Sequence, residues 1–245
     1  MKISVYNNYD EMSKAAAELV VNQLTVKPNS LICFPSGESP TRMLAYLVQY
    51  ANDGKINLSE CYFIGLDEWL GMNENHEGSC KHYLYENFFN LLNIDSEKIV
   101  FFDALTADTE KECERINDFI SQKGGLDLIV VGIGMNGHIG LNEPGTDFNL
   151  YAHRSFLDAV TAEVGQKYFK EQTLLTEGIT LGLKHLTEAK KAVLIASGVK
   201  KADILAEGLE GKITTLVPAS VFQTIPSASI LLDKDAASKL KVPHN

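Results

Sequence analysis

Two short stretches carry residues able to move protons. In "LDEW" (66–69), Asp67 and Glu68 follow the apolar run "CYFIGL". A carboxylate beside Leu66 and Trp69 is where partial burial raises a pKa toward that of a useful base, although adjacent acids also cap helices or face water. In "GIGMNGHIGLNEPG" (132–145), His138 and Glu143 lie five residues apart, flanked by Asn136 and Asn142. A histidine among glycines can reach a substrate, and a nearby carboxylate fixes its tautomer and raises its proton affinity. With Asp67 on another strand end, this makes an acid/base set suited to proton transfer on a carbonyl compound.

A third stretch, "FPSGESP", offers Ser36, Gly37, Glu38 and Ser39 just before a helix entrance. Small residues and hydroxyls there suit a phosphate held on backbone N–H groups, though an ordinary turn with a capping serine has the same composition. Lys200 and Lys201 in "SGVKKADIL" add cations at the start of another helix, a reasonable phosphate partner in a chain of net charge −10. The glycines of 132–137 spell Gly-x-Gly-x-x-Gly, but Gly140, Pro144 and Gly145 preclude the long helix that a dinucleotide loop must open. A nicotinamide cofactor is therefore not expected. His76, Cys80 and His82 have ligand-type side chains, yet no second cluster with zinc spacing accompanies them, so no metal is expected either.

These loops need a scaffold. Apolar runs at 3–6, 30–34, 61–66, 98–102, 126–133, 192–197 and 228–233 alternate with helical stretches at 10–24, 41–52, 78–93, 108–123 and 199–208. Strands apolar on both faces and separated by helices imply an α/β fold: a doubly wound, mostly parallel sheet with helices on both faces, as one domain over 1–245. The segment between 134 and 191 reads as irregular. In such sheets ligands bind beyond the carboxyl ends of the strands, where these loops lie. Net charge −10 disfavours nucleic acid or an anionic membrane as partner. Cys33, Cys61, Cys80 and Cys113 are widely spaced, which reads as reduced cytoplasmic thiols, and no run approaches a membrane span.

"LDEW", "GIGMNGHIGLNEPG", "GITLGL" (178–183) and "SGVKKA" (197–202), in this order along nearly the whole chain, resemble the glucosamine/galactosamine-6-phosphate isomerase (deaminase) family. "FPSGESP", "GSC", "KGGLDL" and "VPAS" look most like its galactosamine branch. The resemblance implies a Rossmann-like three-layer sandwich and a cofactor-independent reaction. An amino-hexose 6-phosphate opens to its aldehyde, isomerises to a 2-imino sugar and is hydrolysed to a ketose 6-phosphate and ammonia. Galactosamine 6-phosphate giving tagatose 6-phosphate is the favoured case, and glucosamine 6-phosphate giving fructose 6-phosphate the alternative. It further implies that Asp67 carries a proton from C2 to C1, that His138 assists ring opening, and that Glu143 orients His138. Asn136 stands where some members carry aspartate. Ser36, Gly37 and Ser39 with Lys201 would hold the phosphate beside Glu38, and Lys167 aligns with a family arginine that also contacts it.

Where hexameric glucosamine enzymes carry a basic pair for an allosteric activator, "NLYAHRSF" has His153 and Ser155, so no such activation is expected, and a homo-oligomer stays open. A 6-phosphogluconolactonase shares the superfamily, but its loop continues Asp-Gly-His to Ala-Ser instead of "NGHIGLNEP". A sugar-phosphate effector domain of a transcriptional regulator would need a helix-turn-helix that residues 1–30 do not accommodate.

Overall fold

The computed structural model describes residues 1–241; the last four residues of the expected domain lie outside the described residues. Along the chain run β1 (Lys2–Tyr6), α1 (Tyr9–Val26), β2 (Leu31–Phe34), α2 (Glu38–Asn52), β3 (Tyr62–Gly65), β4 (Asp67–Trp69), α3 (Cys80–Asn87), β5 (Ile99–Val100), α4 (Thr109–Gln122) and β6 (Leu128–Val131). There follow β7 (His153–Phe156), α5 (Ala159–Gly165), β8 (Glu177–Thr180), α6 (Leu183–Glu188), β9 (Ala192–Ala196), α7 (Ala202–Glu210) and β10 (Ser229–Asp233).

Seven strands form one sheet in the order β1-β10-β9-β6-β2-β3-β5, with every pair parallel. Successive side chains of a strand face opposite ways, and here both ways lead into a core. On one face Ile32, Phe34, Val130 and Ile195 pack with Met12, Val20, Met43, Leu47 and Leu84 from α1, α2 and α3. On the other, Leu31, Cys33, Val131 and Leu194 pack with Ile116, Leu186 and Leu205 from α4, α6 and α7. The expected doubly wound three-layer sandwich is therefore present. From β2 the chain winds outward through β3 to β5, then returns to lay β6 on the other side of β2. That reversal of winding opens a crevice at the carboxyl ends of β2 and β6.

Several boundaries differ from the sequence reading. The helix expected over 78–93 spans 80–87, followed by a 3-10 turn at 89–91, and the strand expected over 98–102 pairs only at 99–100. The helix expected from residue 41 starts at Glu38 because Pro40 falls in its first turn, where a missing N–H costs nothing. The segment read as irregular holds β7 and β8, which join β4 in an antiparallel sheet, β4-β8-β7, with Asp67 opposite Thr180 and Trp69 opposite Gly178. These strands are three to four residues long, and β7 is largely exposed, so neither length nor apolar pattern announced them.

Candidate active site

The cleft at the reversal point is built from four strand ends. After β2 come Ser36 to Ser39, after β3 comes Asp67, after β6 come Gly132 to His138, and beyond β9 comes Lys201. Thr161, Lys167 and Tyr168 close it from α5 and the turn behind it.

Asp67 and Glu68 are both buried and lead opposite lives. Glu68 turns away from the cleft and accepts from the N–H groups of Trp69 (2.9 Å), Cys80 (2.9 Å) and Lys81 (2.9 Å) and from the Ser79 hydroxyl (2.8 Å). With Ser79 Oγ taking the His82 N–H at 3.0 Å, these two side chains complete the N-terminus of α3. Asp67 has no such set of N–H donors. Desolvation pushes its pKa up to about 7, opposed by a hydrogen bond from the Cys80 thiol, raised further by Glu68, and lowered by nearby His138. A carboxyl at that value is half ionised near neutrality, which is the condition for an efficient general base.

His138 is held from behind. Its Nδ1 lies 2.9 Å from Thr161 Oγ1 and 3.5 Å from Glu143 Oε2, which leaves Nε2 for the cleft. Its ring lies flat on Gly134, where a Cβ would fall 2.2 Å from Cε1 and 2.3 Å from Nε2. The second glycine of the apparent cofactor fingerprint thus makes room for an imidazole. Glu143 is buried and does not line the cleft. Burial would raise its pKa, but hydrogen bonds from His138, Thr161 and Asn136 hold it below the ordinary value. Asn136 joins the parts: Nδ2 donates to Glu143 at 2.9 Å and Oδ1 accepts the His138 N–H at 3.2 Å. An aspartate there would set a second negative charge against Glu143, whereas the amide supplies a donor. Asn142 is structural, donating to the carbonyls of Ile139 (2.7 Å) and Leu181 (2.8 Å) and so pinning the loop behind β8.

The other end of the cleft suits an anion. The cap position before α2 is Gly37, whose φ of +94° is left-handed and which gives no side-chain cap, so the first amides of the helix are not taken by a side chain as those of α3 are. Ser36 and Ser39 flank them. Lys201 reaches in with Nζ 2.6 Å from the Ile133 carbonyl, while Lys200 is exposed. Burial, with nearby Lys167, brings the Lys201 pKa down to about 8. Lys167 lines the same end but pairs with the Glu38 carboxylate at 2.8 Å.

The structure thus brings Ser36, Gly37, Glu38, Ser39, Asp67, His138, Lys167 and Lys201 into one cleft, with Asn136 and Glu143 immediately behind His138. Thr161, Tyr168 and Cys80 were missed; Cys80 figured only among metal ligands. Nδ1 of His76 is engaged by Asn73 and Nδ1 of His82 by the Glu74 carbonyl, and Cys80 faces Asp67. Among the described residues no three His, Cys, Asp or Glu side chains stand together as a metal set. All four cysteines are free and buried. No helix among the described residues is long and apolar enough to cross a membrane. His153 and Ser155 sit on β7, outside the cleft lining.

This crevice sets a buried carboxyl, an imidazole and an anion-suited end in one cleft of an α/β fold, the layout of an enzyme site, and comparison with known proteins narrows its class. The family described as glucosamine-6-phosphate isomerases/6-phosphogluconolactonase matches residues 7–230, and the chain belongs to it. Glucosamine-6-phosphate deaminase of Thermoanaerobacter pseudethanolicus is 38% identical over 239 residues, covering 97% of this chain and 94% of that relative. The glucosamine-6-phosphate deaminase of Clostridium novyi is 39% identical over 241 residues, covering 98% and 100%. A solved monomeric glucosamine-6-phosphate deaminase superposes with a TM-score of 0.94 at 28% identity, covering 98% of this chain and all of that one. 6-Phosphogluconolactonase of Trypanosoma brucei shares the fold, with a TM-score of 0.76 at 18% identity and 98% coverage of each. The expected class, an amino-sugar-phosphate deaminase and isomerase, agrees with these relatives. They are named for glucosamine and not for the galactosamine branch that the loop motifs favoured.

Proposed function

We propose that this chain converts glucosamine 6-phosphate to fructose 6-phosphate and ammonia without a cofactor, with Asp67 as the proton-transferring base. The observation that carries the reading is the pairing, in one cleft, of a buried carboxyl whose pKa is pushed up to about 7 with an imidazole. An uncapped helix N-terminus and two lysines lie at the cleft's other end.

The chemistry follows the geometry. The phosphate sits on the α2 amides with Ser36, Ser39 and Lys201, which anchors the sugar by its far end. His138, oriented through Nδ1 by Thr161 and Glu143, transfers a proton at the ring oxygen as the ring opens. Asp67 in its ionised form removes the C2 proton, α to the new aldehyde, and returns it to C1. The amine-bearing C2 becomes an imine, and water adds there and expels ammonia. A pKa near neutrality suits this step, because about half of the base is ionised in use and it is basic enough to take a carbon-bound proton.

Galactosamine 6-phosphate remains a second reading on the loop residues "SGES", "LDEW" and "GSC". Ammonia release from each amino-sugar 6-phosphate decides between them, with Asp67→Asn as control. The proposal requires the larger kcat/KM with glucosamine 6-phosphate. A larger value with the galactosamine compound reverses the substrate, no ammonia from either removes the activity, and normal turnover by Asp67→Asn places the base elsewhere.

A further inference from the structure

Glu38 is an odd residue for the place it occupies. It is the first residue of α2, lining the end of the cleft where Lys201, Lys167 and the open amides converge. A carboxylate has no proton to give a phosphate, and its charge opposes one. Its Oε2 instead lies 2.8 Å from Lys167 Nζ, joining the α2 entrance to the turn Gln166–Tyr168. Both side chains keep solvent access, at 76% and 40% exposure, so the pair is open to exchange. The turn is seated closely: Tyr168 Oη would lie 2.9 Å from a Cβ on Gly37, so Lys167 is delivered to this spot by packing as well as by charge.

We propose that Glu38 sets how tightly the site holds phosphate, by keeping Lys167 in an internal ion pair that the incoming phosphate must displace. This rests on reading this end of the cleft as the phosphate site. While Lys167 Nζ stays on the Glu38 carboxylate its charge is largely offset, so a phosphate gains the full attraction of Lys167 only by drawing it off Glu38. An exposed ion pair is weak. A dianionic phosphate that also takes the α2 amides and Lys201 outcompetes a single carboxylate for Lys167, whereas a neutral sugar lacks the charge to do so. Glu38 then takes Lys167 back when product leaves, which keeps affinity moderate and release possible.

The test is equilibrium binding of inorganic phosphate by the full chain as wild type, Glu38→Gln, Lys167→Ala and the double variant. Glu38→Gln is expected to tighten phosphate about two- to fivefold, the release of an exposed pair of up to about 1 kcal/mol at about 1.4 kcal/mol per tenfold. The KM for the sugar phosphate falls with it. In the Lys167→Ala background the same substitution is expected to tighten phosphate less than in wild type, by no more than the loss of direct like-charge repulsion. Tightening of equal size in both backgrounds means Glu38 merely repels phosphate, and unchanged or weaker binding in Glu38→Gln means the carboxylate aids it; either overturns the proposal. A wild-type protein that binds no phosphate overturns the phosphate-site reading itself, so the two failures are distinct.

Discussion

Asp67 and Glu68 are neighbours in β4, both buried, and their surroundings make them different chemical objects. Glu68 receives four donors and is spent on the entrance of α3. Asp67 faces the cleft without that support and is held near its ionisation point. The same division recurs between helix entrances: α3 is filled by Ser79 and Glu68, while α2 opens at Gly37 with no side-chain cap. Burial alone does not make a functional carboxylate, and a helix N-terminus alone does not make an anion site. In both pairs the member left unsatisfied by the protein is the one available to a ligand.

The largest effect expected is at Asp67. Asp67→Asn removes the base and should lower kcat by about 10³-fold, within the usual range for a positioned acid or base. It should also stabilise the fold at alkaline pH. The folded-state pKa of about 7 lies above the ordinary value of 3.8, so the stability linked to this group is fully present below 3.8 and is lost as pH rises through 7. Asparagine escapes that loss, which at about 1.36 kcal/mol per pH unit amounts to at most about 4 kcal/mol. The melting temperature of Asp67→Asn should therefore exceed wild type at pH 8 and match it more nearly at pH 5. A lower melting temperature at both would mean that Asp67 is as structural as Glu68.

Gly134→Ala probes the imidazole that draws on Asp67. A Cβ there would lie within 2.4 Å of three ring atoms of His138, so the ring must move. A displacement near 1 Å costs about 10²-fold in kcat/KM, and inorganic phosphate binding at the far end should be unchanged. Equal losses in both would show a general collapse of the cleft. Glu68→Gln is expected to act in the opposite sense to Asp67→Asn. Each carboxylate oxygen accepts two donors, so the amide NH2 must face two of them, destabilising the protein by about 1–3 kcal/mol as read by thermal or denaturant unfolding. An unchanged stability would place the α3 entrance on the same footing as that of α2.

The frame of this contrast was legible in the sequence, the contrast itself was not, and the remainder has identifiable reasons. Apolar runs such as "LICF" and "LIVV" announced strands buried on both faces, and that implied the sheet, its crevice and the loops lining it. Two adjacent acids in "LDEW" did not reveal which faces the cleft. The deciding signal was "GSC", whose serine caps α3 and draws Glu68 toward it. Thr161 and Tyr168 come from a segment without strong periodicity, and they reach the cleft only because short β7 and β8 fold it back. Cys80 was weighed only as a metal ligand and set aside, and nothing in its spacing pointed to the cleft, toward which the first turn of α3 turns the thiol to meet Asp67. Glu38 could have been questioned from chemistry alone, since a carboxylate offers a phosphate no donor.

The smallest effect separates the two ends of the cleft by pH. Asp67 must be ionised to act, so kcat/KM should rise as pH climbs through about 7. Lys201 must be protonated to hold phosphate, and with its pKa brought down to about 8 its charge is lost as pH climbs further, so KM should rise above 8. The profile is then a narrow bell between a limb from each end. Lys201→Arg keeps a cation that does not titrate in this range, and should move the alkaline limb upward while leaving the acid limb in place, with KM below pH 8 changed only severalfold. An alkaline limb that stays near 8 in this variant would detach it from Lys201. A shift of the acid limb as well would mean the two ends are coupled, and the independence that their separate surroundings imply would fail.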